Sequence, residues 1–344
     1  MDDVKRLTGN NTMEELQAGC VERVLVPVLE ALILVIGLAG HSLVLLILVG
    51  RPRRRGRQPH GTDTLLLALS VADLLLLMCL PFHTAAIALG HWPFGNYLCK
   101  AVSFLGAACS SASAFTLAAL AVSRYLTVVH PTWTYRSQMQ RWLRLVVMGL
   151  WVPAITLAAP QFAFRTVGPT TQLFCFAFLS DISQLIYSII YFLIAFALPL
   201  AIIIAMYSKI YCFLHRRRRE GRAPQLERYH NQVTRTSGLL VLAFTLCWLP
   251  SYVLMFSMLG HNTASRPRYG PVAILARLLA LSSTVVNPIL YVFMSQKFRA
   301  DLLKVAKGTW CGICECCLHS RCCGTYHTKK NDPEPVQLET SPKT

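Results

Sequence analysis

Charge is the scarcest property of this chain: 14% of residues are Asp, Glu, Lys or Arg, against about 25% in an ordinary soluble domain. Acids are fewest, 16 against 33 basic residues. The sequence also lacks zincin, P-loop and serine-hydrolase signatures, and no connection between its apolar runs reaches about 30 residues. Catalytic residues would need a soluble domain, which these loops do not hold, so an enzyme is excluded. Residues 1–20 lack the apolar core of a cleavable signal, and the first apolar run is expected to act as its own insertion signal. No matching pair of broken helices marks the internal repeat of a transporter.

What is abundant is hydrocarbon. Hydrophobic residues make up 54% of the chain, and crossing a bilayer as a helix takes about 20 mainly apolar residues. Seven stretches qualify, near 24–50, 62–89, 100–129, 143–162, 184–214, 236–259 and 271–294, with Pro153 and Pro160 interrupting the fourth. The fold class is therefore an all-α membrane protein, a seven-transmembrane helix bundle with its termini on opposite sides.

Short loops rich in Lys and Arg stay cytoplasmic. Arg51, Arg53, Arg54, Arg55 and Arg57 fill the first loop, and Arg124, Arg136, Arg141 and Arg144 the third. The fifth holds Lys209, Arg216, Arg217, Arg218, Arg219, Arg222, Arg228 and Arg235; the three opposite loops hold only Lys100, Arg165, Arg266 and Arg268. The N-terminus is expected outside and the C-terminus inside a plasma-membrane protein. Asn10-Asn11-Thr12, a glycosylation sequon on the outer side, agrees. The net charge of +17 is loop charge of this kind, which removes nucleic acid as a partner, while Arg216 to Arg219 suit anionic lipid.

The organisation expected is an extracellular tail at 1–23, the bundle at 24–294, an amphipathic membrane-surface helix at 295–307 and a cytoplasmic Cys-rich tail at 308–344. Phe298, Leu302 and Val305 share one face of the surface helix between Lys297, Arg299, Lys304 and Lys307. Cysteines just beyond such a helix, Cys311, Cys314, Cys316 and Cys317, suit palmitoylation, with zinc as the competing reading. On the oxidising side, Cys99 and Cys175 can meet and fasten the loop between spans four and five across the bundle mouth. Gln172 to Phe178 in that loop reads as a strand or hairpin that leaves the mouth open; a sealing lid is the alternative.

Two spans carry proline and polar groups at mid-depth: Cys247-Trp248-Leu249-Pro250, and Asn287-Pro288-Ile289-Leu290-Tyr291. An anchoring helix avoids both, because proline removes a backbone hydrogen bond and hydrocarbon satisfies no polar side chain. Such helices belong to a device that changes shape.

In order along residues 24–307, these landmarks resemble rhodopsin-like G-protein-coupled receptors. They are Leu69-Ser70-Val71-Ala72-Asp73, Cys99, Ser123-Arg124-Tyr125, Trp151, Pro199, Tyr207, Cys247-Trp248-Leu249-Pro250 and Asn287-Pro288 to Tyr291. Phe115 to Leu120 leading into Ser123, and Val286-Asn287-Pro288 to Phe298-Arg299, look most like neuropeptide receptors of the galanin and allatostatin branch. Pro81-Phe82 fits peptide receptors as well. The resemblance implies an extracellular peptide ligand, a heterotrimeric G protein of the inhibitory class as partner, and arrestin. It assigns G-protein contact to Ser123, Arg124, Tyr125 and Arg235, and the activation switch to Trp248, Pro250, Pro288, Tyr291 and Tyr207. It also gathers Ser113, Ser283 and Asn287 around Asp73 as a sodium site.

Amine receptors resemble one another in placing an aspartate eighteen residues before the arginine of the inner motif; here that residue is Gly106. The outer halves instead offer His83, Trp92, Phe104, Phe162, Phe174, Phe176, Tyr252 and Arg277, an aromatic mouth with a cation suited to a peptide. Arg277 is the candidate anchor for an acidic group of the ligand. Two residues depart from the family pattern. His41 stands where relatives carry Asn, which can put an imidazole near Asp73, and Ser123 stands where they carry an acid that restrains the arginine. A ligand-independent or constitutively active receptor, and one for a lipid, are the alternative functions.

Overall fold

The computed structural model describes residues 2–50, 61–130, 137–168, 175–177, 181–219, 239, 241–257, 271–294, 299 and 302–303. In chain order these form α1 (Asp2–Gly50), α2 (Gly61–Leu89), α3 (Gly95–Val129), α4 (Ser137–Phe164), β1 (Arg165–Val167) and β2 (Cys175–Ala177). Then come α5, built of Asp181–Phe192, a π turn at Leu193–Ala197 and Leu198–Arg219, followed by α6 (Val241–Ser257) and α7 (Pro271–Met294). Among the described residues five helices are long and apolar enough to cross a membrane, and Val241–Ser257 and Ile274–Leu290 add two shorter apolar segments. Residues Met1–Ala300 form one compact unit; of the second, Asp301–Thr344, Leu302 and Leu303 are described and are helical.

Three local features go beyond the sequence expectation. The polar segment 1–23, expected as a tail, is helical from Asp2. Met13 to Ala18 are good helix formers, and a helix already nucleated by the apolar span propagates at little cost. Pro153 and Pro160 lie inside one continuous helix; membrane helices tolerate proline where local adjustment and neighbouring groups satisfy the freed carbonyl. In α5 the π turn at Leu193–Ala197 comes directly before the helix resumes through Pro199. Pro199 has no N–H to give the preceding turn, and widening that turn absorbs the mismatch.

α3 is the axle. It packs on α2, α4, α5 and β1, and 67% of its apolar window is buried, against 17% for α4 and 22% for α1. Where α2, α3, α4 and α5 meet, the core is Ala72, Ala112, Phe115, Ala154, Leu157 and Ala195. Four of these six are alanine, and small side chains let helix backbones approach closely where lipid supplies no hydrophobic drive. The exposed side chains are as apolar as the core: Val35, Val49, Met148 and Val152 lie open on α1 and α4. Water would not solvate such a surface; lipid does.

At one end of the bundle a left-handed Gly90 (φ 72°) ends α2 and a left-handed Gly95 (φ 75°) starts α3. β1 and β2 form the expected hairpin, antiparallel with Thr166 opposite Phe176. The Cys99–Cys175 disulfide ties β2 to the start of α3, and the Val167 N–H donates to Asn96 Oδ1 at 3.3 Å.

Candidate functional site

Midway through the bundle, two helices aim donors at one carboxylate and a third sets an imidazole beside it. Asp73 on α2 is 1% exposed. Ser113 Oγ from α3 donates to its Oδ1 at 2.8 Å, and Asn287 Nδ2 from α7 donates to its Oδ2 at 2.7 Å. His41 Nε2 from α1 lies 3.3 Å from the same Oδ2 and 2.8 Å from the Thr284 carbonyl. A carbonyl only accepts, so Nε2 carries the proton and His41 Nδ1 is the bare nitrogen, buried without a partner among the described residues.

Thr284 explains why the imidazole is there. Its carbonyl would ordinarily accept from the N–H four residues on, but that residue is Pro288, which has none. His41 satisfies the orphan from the neighbouring helix. One residue earlier, a Cβ on Gly40 would lie 3.1 Å from the Pro288 ring, so glycine permits the close α1–α7 approach that lets His41 reach.

The sodium expectation rests on oxygen donors. Asp73, Ser113 and Ser283 supply them, although Ser283 Oγ here donates to Ala280 O at 2.7 Å. Asn287 would join through its own oxygen if its amide were turned. This set of hard oxygens fits a small cation. Beside it, a cavity of about 10 Å³ is lined by Leu117, Ala243, Phe244, Cys247, Trp248, Ser283, Val286, Asn287 and Leu290, at the lower limit for one water. Trp248 and Asn287 face the same small space, which links the two switch segments found in the sequence.

Above this lies the aromatic mouth. Phe104 meets Phe162 edge-on, and His83 stands 5.9 Å from Trp92. Trp92, expected to face a ligand, is 3% exposed, packs with Cys79, Cys99 and Val102, and gives its Nε1–H to Gly95 O, which holds the α2–α3 turn. Tyr252 is also buried, joined to Tyr191, Phe192 and Phe196 at the α5–α6 contact. Tyr191, absent from the sequence reading, donates to Ala107 O and accepts from Ser111. Phe174 lies outside the described residues, as does the Phe176 side chain.

Arg277 has a partner that the sequence reading missed. Its Nε donates to Glu30 Oε1 on α1 at 2.7 Å, and Thr84 Oγ1 on α2 donates to Glu30 Oε2 at 2.6 Å. Glu30 is 0% exposed and Arg277 27%. A lone acid in the first apolar run was the available signal, since an intramembrane carboxylate marks a paired or functional group.

At the far end of α3, Arg124 Nε and Tyr207 Oη are buried without hydrogen-bond partners among the described residues. Ser123, in place of an acid, offers Arg124 no counter-charge. Lys209 lies over the Tyr125 ring at 5.8 Å. Arg235, Cys311, Cys314, Cys316 and Cys317 fall outside the described residues, and for Asn10 and Tyr291 the structure describes the helical backbone alone.

A polar hub on mid-membrane prolines, an aromatic mouth pinned by a disulfide and an arginine at the opposite end of the central helix together define a seven-helix receptor. Residues 40–291 match the 7 transmembrane receptor (rhodopsin family) profile, and the chain belongs to that family. It is 33% identical over 300 residues to C-X-C chemokine receptor type 2 of Bos taurus, covering 85% of this chain and 80% of that protein. It is 31% identical over 291 residues to galanin receptor type 2 of Mus musculus, 83% of this chain and 77% of the relative, and equally to the Rattus norvegicus form. The protein is thus a multi-pass membrane receptor and not an enzyme.

Proposed function

We propose that this receptor sits in the plasma membrane with its N-terminus outside, binds an extracellular peptide, and activates an inhibitory-class heterotrimeric G protein. The observation that carries the reading is the chemistry of the mouth. Gly106 supplies no carboxylate for a ligand amine, while Arg277 offers a partly exposed guanidinium and the outer halves of the helices carry aromatic side chains, the kind that most often anchor peptides. Arg277 then meets an acidic group of the peptide through N–H groups other than the Nε–H held by Glu30. The two relatives named above are receptors for a chemokine and for galanin by their names, which favours a peptide over a lipid.

Binding acts through Trp248, which shares the small cavity with Asn287, and so on the proline bends at Pro250 and Pro288. Asp73, Ser113, Ser283 and Asn287 hold the resting arrangement. A sodium ion bound there would supply a positive charge to the carboxylate. At the inner end, Ser123, Arg124, Tyr125 and Arg235 meet the G protein, Arg216 to Arg219 meet anionic lipid, and arrestin is a further partner. Asn10 is a glycosylation site and Cys311, Cys314, Cys316 and Cys317 are acylation sites. A raised ligand-free output is the second reading, favoured by Arg124 Nε, which has no hydrogen-bond partner among the described residues.

The test is a panel of amidated and free-acid neuropeptides and chemokines applied to cells expressing the full chain, read with several Gα sensors. A free-acid peptide whose potency falls in both Arg277→Lys and Arg277→Gln supports the reading. Equal potency in both variants removes Arg277 from the ligand site.

A further inference from the structure

Glu30, Thr84 and Arg277 make a second polar junction, about three helical turns from Asp73 along α2, and nothing in the hub explains it. All three lie within about two to three helical turns of the outer ends of their spans, joining α1, α2 and α7 at one level. Thr84 has one hydroxyl proton and two acceptors in reach, Glu30 Oε2 at 2.6 Å and Leu80 O at 2.9 Å. The shorter, charge-assisted bond goes to Glu30. The carboxylate thus has one donor on each oxygen and no exposure. Arg277, by contrast, is 27% exposed.

α7 is consequently tied to its neighbours at two heights: Arg277 to Glu30, and, seven residues or about 10 Å further along, Thr284 to His41. Restraint at two heights fixes tilt as well as position. Toward α6, α7 has weaker neutral contacts, Ser251 Oγ to Ala276 O at 3.0 Å and Cys247 Sγ to Ser282 Oγ at 3.6 Å.

We propose that the Glu30–Thr84–Arg277 junction is an autoinhibitory clamp, holding α7 on α1 and α2 in the resting receptor, which an acidic group of the ligand opens by drawing Arg277 toward the mouth. This rests on the receptor reading for its signalling consequence, but not for its mechanical one. Of the ion pair, Arg277 is partly exposed and Glu30 is not, so a ligand would open the clamp by engaging Arg277. Losing it frees α7 to shift against α6, and Cys247, 5% exposed on α6 against Ser282, reports that shift.

The experiment uses the full chain in cell membranes, comparing wild type with Glu30→Gln, Arg277→Gln and the double variant at measured surface density. A membrane-permeant thiol reagent labels free cysteines, and mass spectrometry reads the rate at Cys247, with Cys109, buried on α3, as the control for general loosening. Ligand-free G-protein activation is read in parallel. The clamp predicts that each single variant raises Cys247 labelling about fivefold or more, that the double variant adds nothing further, and that Cys109 is unchanged. Glu30→Gln removes the charge that holds Arg277 while keeping the side chain's size, so this variant carries the test if Arg277→Gln fails to reach the surface. Unchanged Cys247 labelling in Glu30→Gln, or equal rises at Cys247 and Cys109, overturns the clamp. A selective rise at Cys247 without G-protein activation upholds the clamp and counts against the signalling role.

Discussion

Replacing His41 by leucine removes the side-chain donor that serves the Thr284 carbonyl. Thr284 is 0% exposed and Pro288 supplies no N–H, so among the described residues no second donor replaces the imidazole. Interhelical hydrogen bonds in membrane proteins average about 0.6 kcal/mol and reach about 1.7, because an unfolded helix in lipid finds substitutes. Here the intrahelical substitute is missing, so the value belongs at the upper end, and leaving a buried acceptor unpaired costs about 1–3 kcal/mol. His41→Leu should therefore destabilise the purified receptor by about 2 kcal/mol. His41→Asn, which keeps an N–H donor, should cost less than about 1 kcal/mol. In a Pro288→Ala background, the introduced alanine returns a backbone N–H to the Thr284 carbonyl, and the cost of His41→Leu should fall by at least about 1 kcal/mol in a double-mutant cycle of unfolding free energies. An undiminished cost in that background would refute the account of His41.

Three further outcomes follow from other contacts. Cys99→Ser and Cys175→Ser should each reduce surface expression and ligand affinity by releasing β2 from α3, measured by cell-surface labelling and binding; wild-type values for both would show the pin to be dispensable. Ser123→Asp gives Arg124 a counter-charge and should lower ligand-free signalling about tenfold at matched surface density, corresponding to about 1–2 kcal/mol on a two-state equilibrium; the measurement is basal G-protein activation. If sodium binds at Asp73, replacing sodium by N-methylglucamine at fixed ionic strength should lower the melting temperature of wild type, and Asp73→Asn should remove the difference.

Much of the architecture was legible because lipid imposes simple rules. The apolar runs, the outer hairpin at Cys175 and the proximity of His41 to Asp73 each followed from burial cost or from resemblance in register. Contacts between residues remote in sequence were the hardest to read. Glu30 and Arg277 are 247 positions apart, and no local pattern couples them. The packing of Trp92 beneath the α2–α3 turn, with its left-handed Gly90 and Gly95, had no pattern in the sequence to announce it. The helical stretch from Asp2 was hidden by polar composition, which sets solvent preference more than backbone state.

The central claim is that this seven-helix bundle activates a G protein through the inner end of α3. Its most direct measurement is guanine-nucleotide exchange on a purified inhibitory-class heterotrimer added to membranes bearing the full chain, with and without the peptide panel, for wild type and Arg124→Ala at equal surface density. The account predicts exchange faster than in receptor-free membranes, accelerated further by at least one peptide and lost in Arg124→Ala. Exchange no faster than in receptor-free membranes under every condition, or equal exchange in Arg124→Ala, would contradict it.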